Sequence, residues 1–207
     1  HYTGSKNCDM ILSVRYGCRF LLPDIKMIIE IKEQYMKKKR TFIGILVIII
    51  AVALDQLTKQ WAVAALKGKE SLVLIKGVLE FSYLENTGAA FGSFRGLQIP
   101  LILVTLVIIA FVIFKLITLP DSPRFQPIRI CGLFLISGAA GNLIDRVMNR
   151  YVVDFIYFVP IDFPKFNVAD CYVTVTVFVL IFLFLFYYKS EETDIIISLK
   201  AKQNRHS

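Results

Sequence analysis

The chain has 207 residues, 56% of them hydrophobic, with a mean hydropathy of +0.62 and a formal net charge of +8. A soluble domain of this length is more polar, near ~45–50% apolar, and the apolar excess here is gathered into long runs, so a polytopic membrane protein is expected. The basic residues sit beside those runs, as in Lys37-Lys38-Lys39-Arg40, which favours anionic lipid over nucleic acid as the surface they meet. Residues 1–35 are expected to be an N-terminal extension upstream of a start at Met36, or else to carry a short amphipathic helix in "DIKMIIEIKEQY". The run from Met36 also mimics a secretory signal peptide, but no small-residue cleavage site follows before Asp55.

A membrane-spanning helix needs about 20 largely apolar residues, and four stretches qualify: Phe42 to about Trp61, Ile99 to Leu119, Ile128 to about Val147, and Ala169 to Tyr188. Lys37 to Arg40 precede the first, and Lys115, Arg124 and Arg129 flank the link between the second and third. By the positive-inside bias, both termini and the 120–127 link are expected in the cytoplasm, with loops 67–98 and 148–168 outside. In the first outer loop, Leu79, Phe81 and Tyr83 alternate with Glu80 and Ser82, the period of a strand. "LVLI" can pair with it through Lys76-Gly77, giving a small antiparallel sheet on the outer membrane surface. The second outer loop, "YFVPIDFPKF", is aromatic, and Pro160 and Pro164 disfavour a helix there. The tail 191–207 is expected to be short, polar and cytoplasmic. The expected fold is therefore α-helical and membrane-embedded: four spanning helices (36–190) with a small extracytoplasmic antiparallel sheet.

Four cysteines (Cys8, Cys18, Cys131, Cys171) lack metal-ligand or paired spacing, and the two histidines lie near the termini. Neither a disulfide framework, a His-based metal site nor a Ser-His-Asp triad is expected. The chemistry-bearing residues are instead carboxylates and amides at the outer ends of the helices. In "DQLTK", Asp55 and Lys59 are helical i, i+4 neighbours, open to a self-neutralised ion pair or to a site-shaping role. "ENTGAAFGSF" offers the uncharged donors and acceptor of Asn86, and small residues at Gly88, Ala89 and Ala90 that permit close backbone approach. "SGAAGNLIDR" closes the third helix with a small-residue face (Ser137 to Gly141), then Asn142, Asp145 and Arg146. Asp154 lies in "VVDFI", and Asp170 in "FNVAD", where Asn167 shares its face. Two carboxylates in apolar surroundings can share a proton, one acting as general base toward water and the other as general acid. The residues leave open whether Asp145 or Asp154 faces Asp170.

With "DQLTK", "NTGAAFG", "GNLIDR", "VVDF" and "FNVAD" in that order between four apolar helices, the sequence resembles the lipoprotein signal peptidases, the type II bacterial signal peptidases, from about Thr41 to Tyr188. The resemblance implies an aspartic endopeptidase of the bacterial inner membrane that cuts a diacylglyceryl-modified prolipoprotein just before its lipidated cysteine, with no cofactor or metal. It implies Asp154 and Asp170 as the catalytic pair. It implies substrate-binding or site-shaping roles for Asp55, Lys59, Asn86, Gly88, Asn142, Asp145, Arg146, Asn167 and Ala169. The family more often carries Gly at the position of Ser137 and Ser at that of Cys171, both swaps between small residues. Alternative readings are an ion- or proton-translocating membrane protein, since membrane carboxylates also build relays, and a metal-assisted hydrolase using the Asp and Asn oxygens.

Overall fold

Long apolar runs fold as helices in lipid because a helix satisfies its own backbone hydrogen bonds. The computed structural model describes the backbone of residues 6–88 and 98–198, and the side chains of 27–88 and 98–198. The chain divides into two units, 1–46 and 47–207. The first, described from residue 6, is helical; the second holds residues 47–66 of the same helix and every other element. Helix α1 (Lys6–Leu66) is followed by β1 (Leu72–Ile75), β2 (Leu79–Asn86) and α2 (Gln98–Thr118). Then come α3 (Gln126–Asn149), β3 (Val152–Phe158), β4 (Phe163–Phe166), α4 (Val168–Phe182), a π-helical turn over Leu183–Tyr187, and α5 (Ser190–Ile197). Four stretches are long and apolar enough to cross a membrane: Met27–Leu66, Gln98–Thr118, Pro123–Asn149 and Val168–Tyr187. In the apolar window of α2 no residue is fully buried among the described residues, and its exposed side chains, such as Leu103, Val107 and Phe111, are left to meet lipid.

The strands form one antiparallel sheet in the order β1-β2-β3-β4. The turn between β1 and β2 is the expected one: Gly77 takes φ +72, and the N–H of Val78 donates to Ile75 O at 2.9 Å. A positive φ at that position is what glycine permits without strain. The sheet is twice as wide as the alternation in 79–86 indicates, because the second outer loop supplies β3 and β4. Its "VVDF" is buried at all four positions, so the run shows no apolar–polar alternation to read. Pro160 lies in a 3-10 turn (Val159–Ile161), and Pro164 lies in β4, an edge strand, where a missing N–H is tolerated.

The sheet is held against the end of α1 by Ala62, Leu66, Val153 and Phe155. Trp61, Phe81 and Phe155 meet edge to face there, with ring centroids 5.5 to 6.1 Å apart. A second core lies at the other end of the bundle, where Leu119, Phe125, Ile128, Cys131, Leu183, Tyr188 and Ile196 pack together. Ile196 belongs to α5. The stretch after Lys189, expected to be merely polar, thus returns to the bundle as a helix. Arg124 pairs with Glu192 at 2.8 Å and also donates to the carbonyl of Tyr187.

Candidate active site

Where α4 begins, the first four N–H groups have no helical acceptor, and side chains in and around "FNVAD" serve three of them. Asn167 is the N-cap: its Oδ1 accepts from the N–H of Asp170 at 3.0 Å, and Asp170 Oδ2 accepts from the N–H of Asn167 at 3.1 Å. This reciprocal capping box puts the Asp170 carboxylate in the first turn, at the positive end of the helix dipole. The N–H of Ala169 donates to Asp55 Oδ1 on α1 at 2.8 Å, and Ala169 is completely buried. Gly138 and Gly141 of α3 make that approach possible. A Cβ on Gly138 would lie 2.5 Å from the carbonyl oxygen of Ala169, and one on Gly141 would collide with Asp55 Oδ2.

Lys59 does not snorkel to the surface; it is 2% exposed. Its ammonium reaches Asp55 Oδ2 at 2.9 Å, Asp145 Oδ2 at 3.0 Å and Asn142 Oδ1 at 2.9 Å. An ammonium only donates, so Asn142 must turn its oxygen toward Lys59. Its Nδ2 then donates to Asp170 Oδ1 at 2.8 Å. The ion pair Asp55–Lys59, left open between a self-neutralising and a site-shaping role, is therefore both: it also orients the amide that holds Asp170.

Asp154 is reached from the sheet. Asn86 opposes Val152 and Leu84 opposes Asp154 across β2 and β3, so Asn86 and Asp154 are diagonal neighbours on one face. Asn86 Nδ2 donates to Asp154 Oδ2 at 2.8 Å, while Asn86 Oδ1 accepts from the N–H of Gly88 at 3.0 Å. Asn167 Nδ2 donates to Asp154 Oδ1 at 2.7 Å. One side chain thus touches both aspartates, its oxygen at the backbone of Asp170 and its nitrogen at the carboxyl of Asp154. Burial, and then the charge of Asp170, push the Asp154 carboxyl up to about 7, against the pull of Asn86, Asn167 and Lys59.

Asp145 is occupied elsewhere. Helix α3 ends in a left-handed turn at Arg150 (φ 68) that sends the chain directly into β3, and Asp145 Oδ2 accepts the N–H of Val153 at 3.2 Å. With Lys59 and Gln56 also on it, Asp145 does not line the cleft of about 620 Å³ that Asp154 and Asp170 both line. Arg146 does line that cleft, donating to Asn142 O at 3.2 Å and Gly88 O at 3.3 Å. The cleft continues between the helices past Thr105, Ile108, Gly138 and Ala139, and its far wall is β4. All eleven residues singled out in the sequence are brought together here. Ala89 and Ala90 lie outside the described residues. Among the described residues, no three His, Cys, Asp or Glu side chains assemble as a metal-binding group.

Gln56 was not singled out, yet it is a hub. Its Nε2 lies 3.0 Å from Asp145 Oδ1, 3.1 Å from Gly141 O and 3.3 Å from Asp55 Oδ2. The available signal was its place beside Asp55 in an otherwise apolar helix.

The arrangement has counterparts. A family model described as signal peptidase (SPase) II matches residues 47–186. The chain is 46% identical over 134 residues to the lipoprotein signal peptidase of Clostridium tetani, covering 63% of this chain and 85% of that one. It is 44% identical over 134 residues to that of Clostridium novyi, covering 63% and 89%. In architecture it is similar to a bacterial membrane enzyme solved by the in meso method at 2.3 Å, with a TM-score of 0.62 and 30% identity over 77% of this chain and 93% of that one. A match across two thirds of the chain, spanning every element that builds the cleft, leaves one assignment: the chain belongs to the signal peptidase II family.

Proposed function

We propose that the chain cuts diacylglyceryl-modified prolipoproteins on the N-terminal side of the lipidated cysteine, using Asp154 and Asp170 as an aspartic pair. Family membership carries the removal of signal peptides from prolipoproteins. The observation that supports the choice of pair is the Asn167 amide, which hydrogen-bonds both residues in the one cleft they share. Asp170, at a helix N-terminus, is the member suited to carry charge. Asp154, with its carboxyl raised to about 7, is the member suited to carry the proton.

In this reading ionised Asp170 takes a proton from water as the water oxygen attacks the scissile carbonyl. Asp154 gives its proton to the carbonyl oxygen, and a tetrahedral diol forms. Asp154 then recovers a proton from the diol while Asp170 passes its own to the leaving nitrogen, and the C–N bond breaks. Both residues return to their starting states. The groove past Thr105, Gly138 and Ala139 is where the signal helix lies, open to the bilayer from which the substrate arrives. The loop charges favour a cytoplasmic placement of both termini, with the sheet and cleft at the outer face of the bacterial inner membrane.

The test is a mobility-shift cleavage assay on purified protein with a diacylglyceryl-modified prolipoprotein and its unlipidated form. The lipidated form alone is cut by the wild type, and Asp154→Asn and Asp170→Asn each lose at least ~10³-fold in kcat while melting as folded proteins. Substantial turnover by either variant removes that residue from the pair.

A further inference from the structure

The two carboxylates behind the site outnumber the cation between them. Asp55 and Asp145 present four oxygens, and all three donors of Lys59 are committed, one of them to Asn142 rather than to a carboxylate. Backbone N–H groups of Ala169 and Val153 serve Asp55 Oδ1 and Asp145 Oδ2. The side-chain donor at Asp145 Oδ1 is Gln56, at 3.0 Å, which also approaches Asp55 Oδ2. Gln56 does not line the cleft.

We propose that Gln56 is a positioning residue for the reaction: by donating to Asp145 and Asp55 it leaves Lys59 free to hold Asn142, and so fixes the amide that Asn142 presents to Asp170. The proposal rests on the reading of Asp154 and Asp170 as the catalytic pair. Without the Gln56 amide, a buried carboxylate oxygen loses its donor. An orphaned acceptor of that kind draws in the nearest cation. Lys59 moves toward Asp145 and its 2.9 Å bond to Asn142 is given up; Asn142 Oδ1 then keeps only the longer bond from Asn167 Nδ2, at 3.2 Å, and its nitrogen is held less firmly against Asp170. A carboxylate that loses a donor keeps its proton to higher pH, so less of the pair is in the base-competent form at a given acidity. The charged and titratable groups around the pair are Asp55 and Lys59 from α1, Asp145 and Arg146 from α3, Lys165 from β4, which lines the same cleft, and Cys171 from α4 itself. None of these is changed by substituting Gln56.

The experiment measures pH–rate profiles for cleavage of the lipidated prolipoprotein by wild type and Gln56→Met, which keeps side-chain length and removes the donor. The expected result is an acid limb of kcat moved up by about half to one pH unit, with KM within about twofold because Gln56 touches no substrate. Should Gln56→Met fail to fold, Gln56→Leu is measured instead; it also removes the donor without adding a charge, so the limb moves in the same direction. An acid limb that stays in place in a folded variant, whatever happens to overall rate, overturns the proposal. Asp154→Asn and Asp170→Asn run alongside. If either stays active the catalytic reading has failed; if both are dead while the limb of Gln56→Met is unmoved, only the role of Gln56 has failed.

Discussion

Replacing Asp154 by Asn isolates one proton, and the structure states what that proton does to stability. Asp154 is 1% exposed, and its carboxyl rises from 3.8 to about 7, through burial first and the charge of Asp170 second. Between about pH 4 and pH 7 the folded chain holds this proton while the unfolded chain has released it, so stability from this group falls as pH rises through that window. From pH 5.5 to 8 the loss is about 2 kcal/mol at ~1.4 kcal/mol per pKa unit. Asp154→Asn has no such proton, but it has a fixed cost. The nitrogens of Asn86 and Asn167 both point at position 154, and neither amide can turn, because their oxygens accept from the N–H groups of Gly88 and Asp170. The new NH2 therefore meets a donor, at a cost of about 1–3 kcal/mol that does not vary with pH. The variant should melt below the wild type at pH 5.5, and the gap should close or reverse by pH 8. The change amounts to about 4–8 °C for a chain of this size. Thermal unfolding in detergent, followed by Trp61 fluorescence from pH 5.5 to 8 at fixed salt, measures it; other groups titrate in both proteins and cancel. A melting difference that stays constant across the range refutes the argument. The same proton governs rate: wild-type kcat should fall about tenfold per unit above about pH 7, as Asp154 loses its acid form.

Lys59→Met leaves Asp55 and Asp145 buried without their cation and should cost about 3–5 kcal/mol; adding Asp145→Asn should restore part of the melting temperature but not the activity. Gly141→Ala pushes a methyl into Asp55 and within 3.3 Å of Ala169, with an expected loss of about 1–3 kcal/mol and of most activity. Gly132→Ala meets only the flexible end of Leu116, so its melting temperature and rate should stay near wild type. Because the reaction as written uses water and two carboxyls alone, cleavage should persist in a strong chelator; inhibition that zinc or magnesium reverses would restore the metal-assisted alternative.

The parts of the fold that were legible carry a period or a length. Four apolar runs of about 20 residues are unmistakable in sequence, and the β1–β2 hairpin announces itself by alternation and by Lys76-Gly77. Strand β3 has neither signal. Val152, Val153, Asp154 and Phe155 are all buried, and such a run reads equally well as loop or membrane edge. The site residues were legible as types, because carboxylates and amides stand out against hydrocarbon. Their division of labour was not. Asp145 and Asp154 are nine residues apart, and only the left-handed turn at Arg150, followed by β3, puts one against Lys59 and the other in the cleft. Gln56 stands out as a polar residue beside Asp55, but its role is hidden for a related reason: its partner Asp145 lies 89 residues away.

That division explains why the pair is dressed in amides. Asn86, Asn142 and Asn167 each give their nitrogen to an aspartate, and each has its oxygen fixed by a donor, from Gly88, Lys59 and Asp170 respectively. A cation in any of these places would favour ionising both carboxylates, and the proton that polarises the carbonyl would be gone. An amide holds the carboxylate in place without cancelling its charge, so the repulsion that keeps one proton on the pair survives. Lys59 makes no hydrogen bond to either member of the pair and is linked to it by hydrogen bonds through Asn142, its other two donors being held by Asp55 and Asp145. The supporting carboxylates thus keep a positive charge buried one residue back from the chemistry: close enough to orient Asn142, and too occupied to form a salt bridge with Asp170.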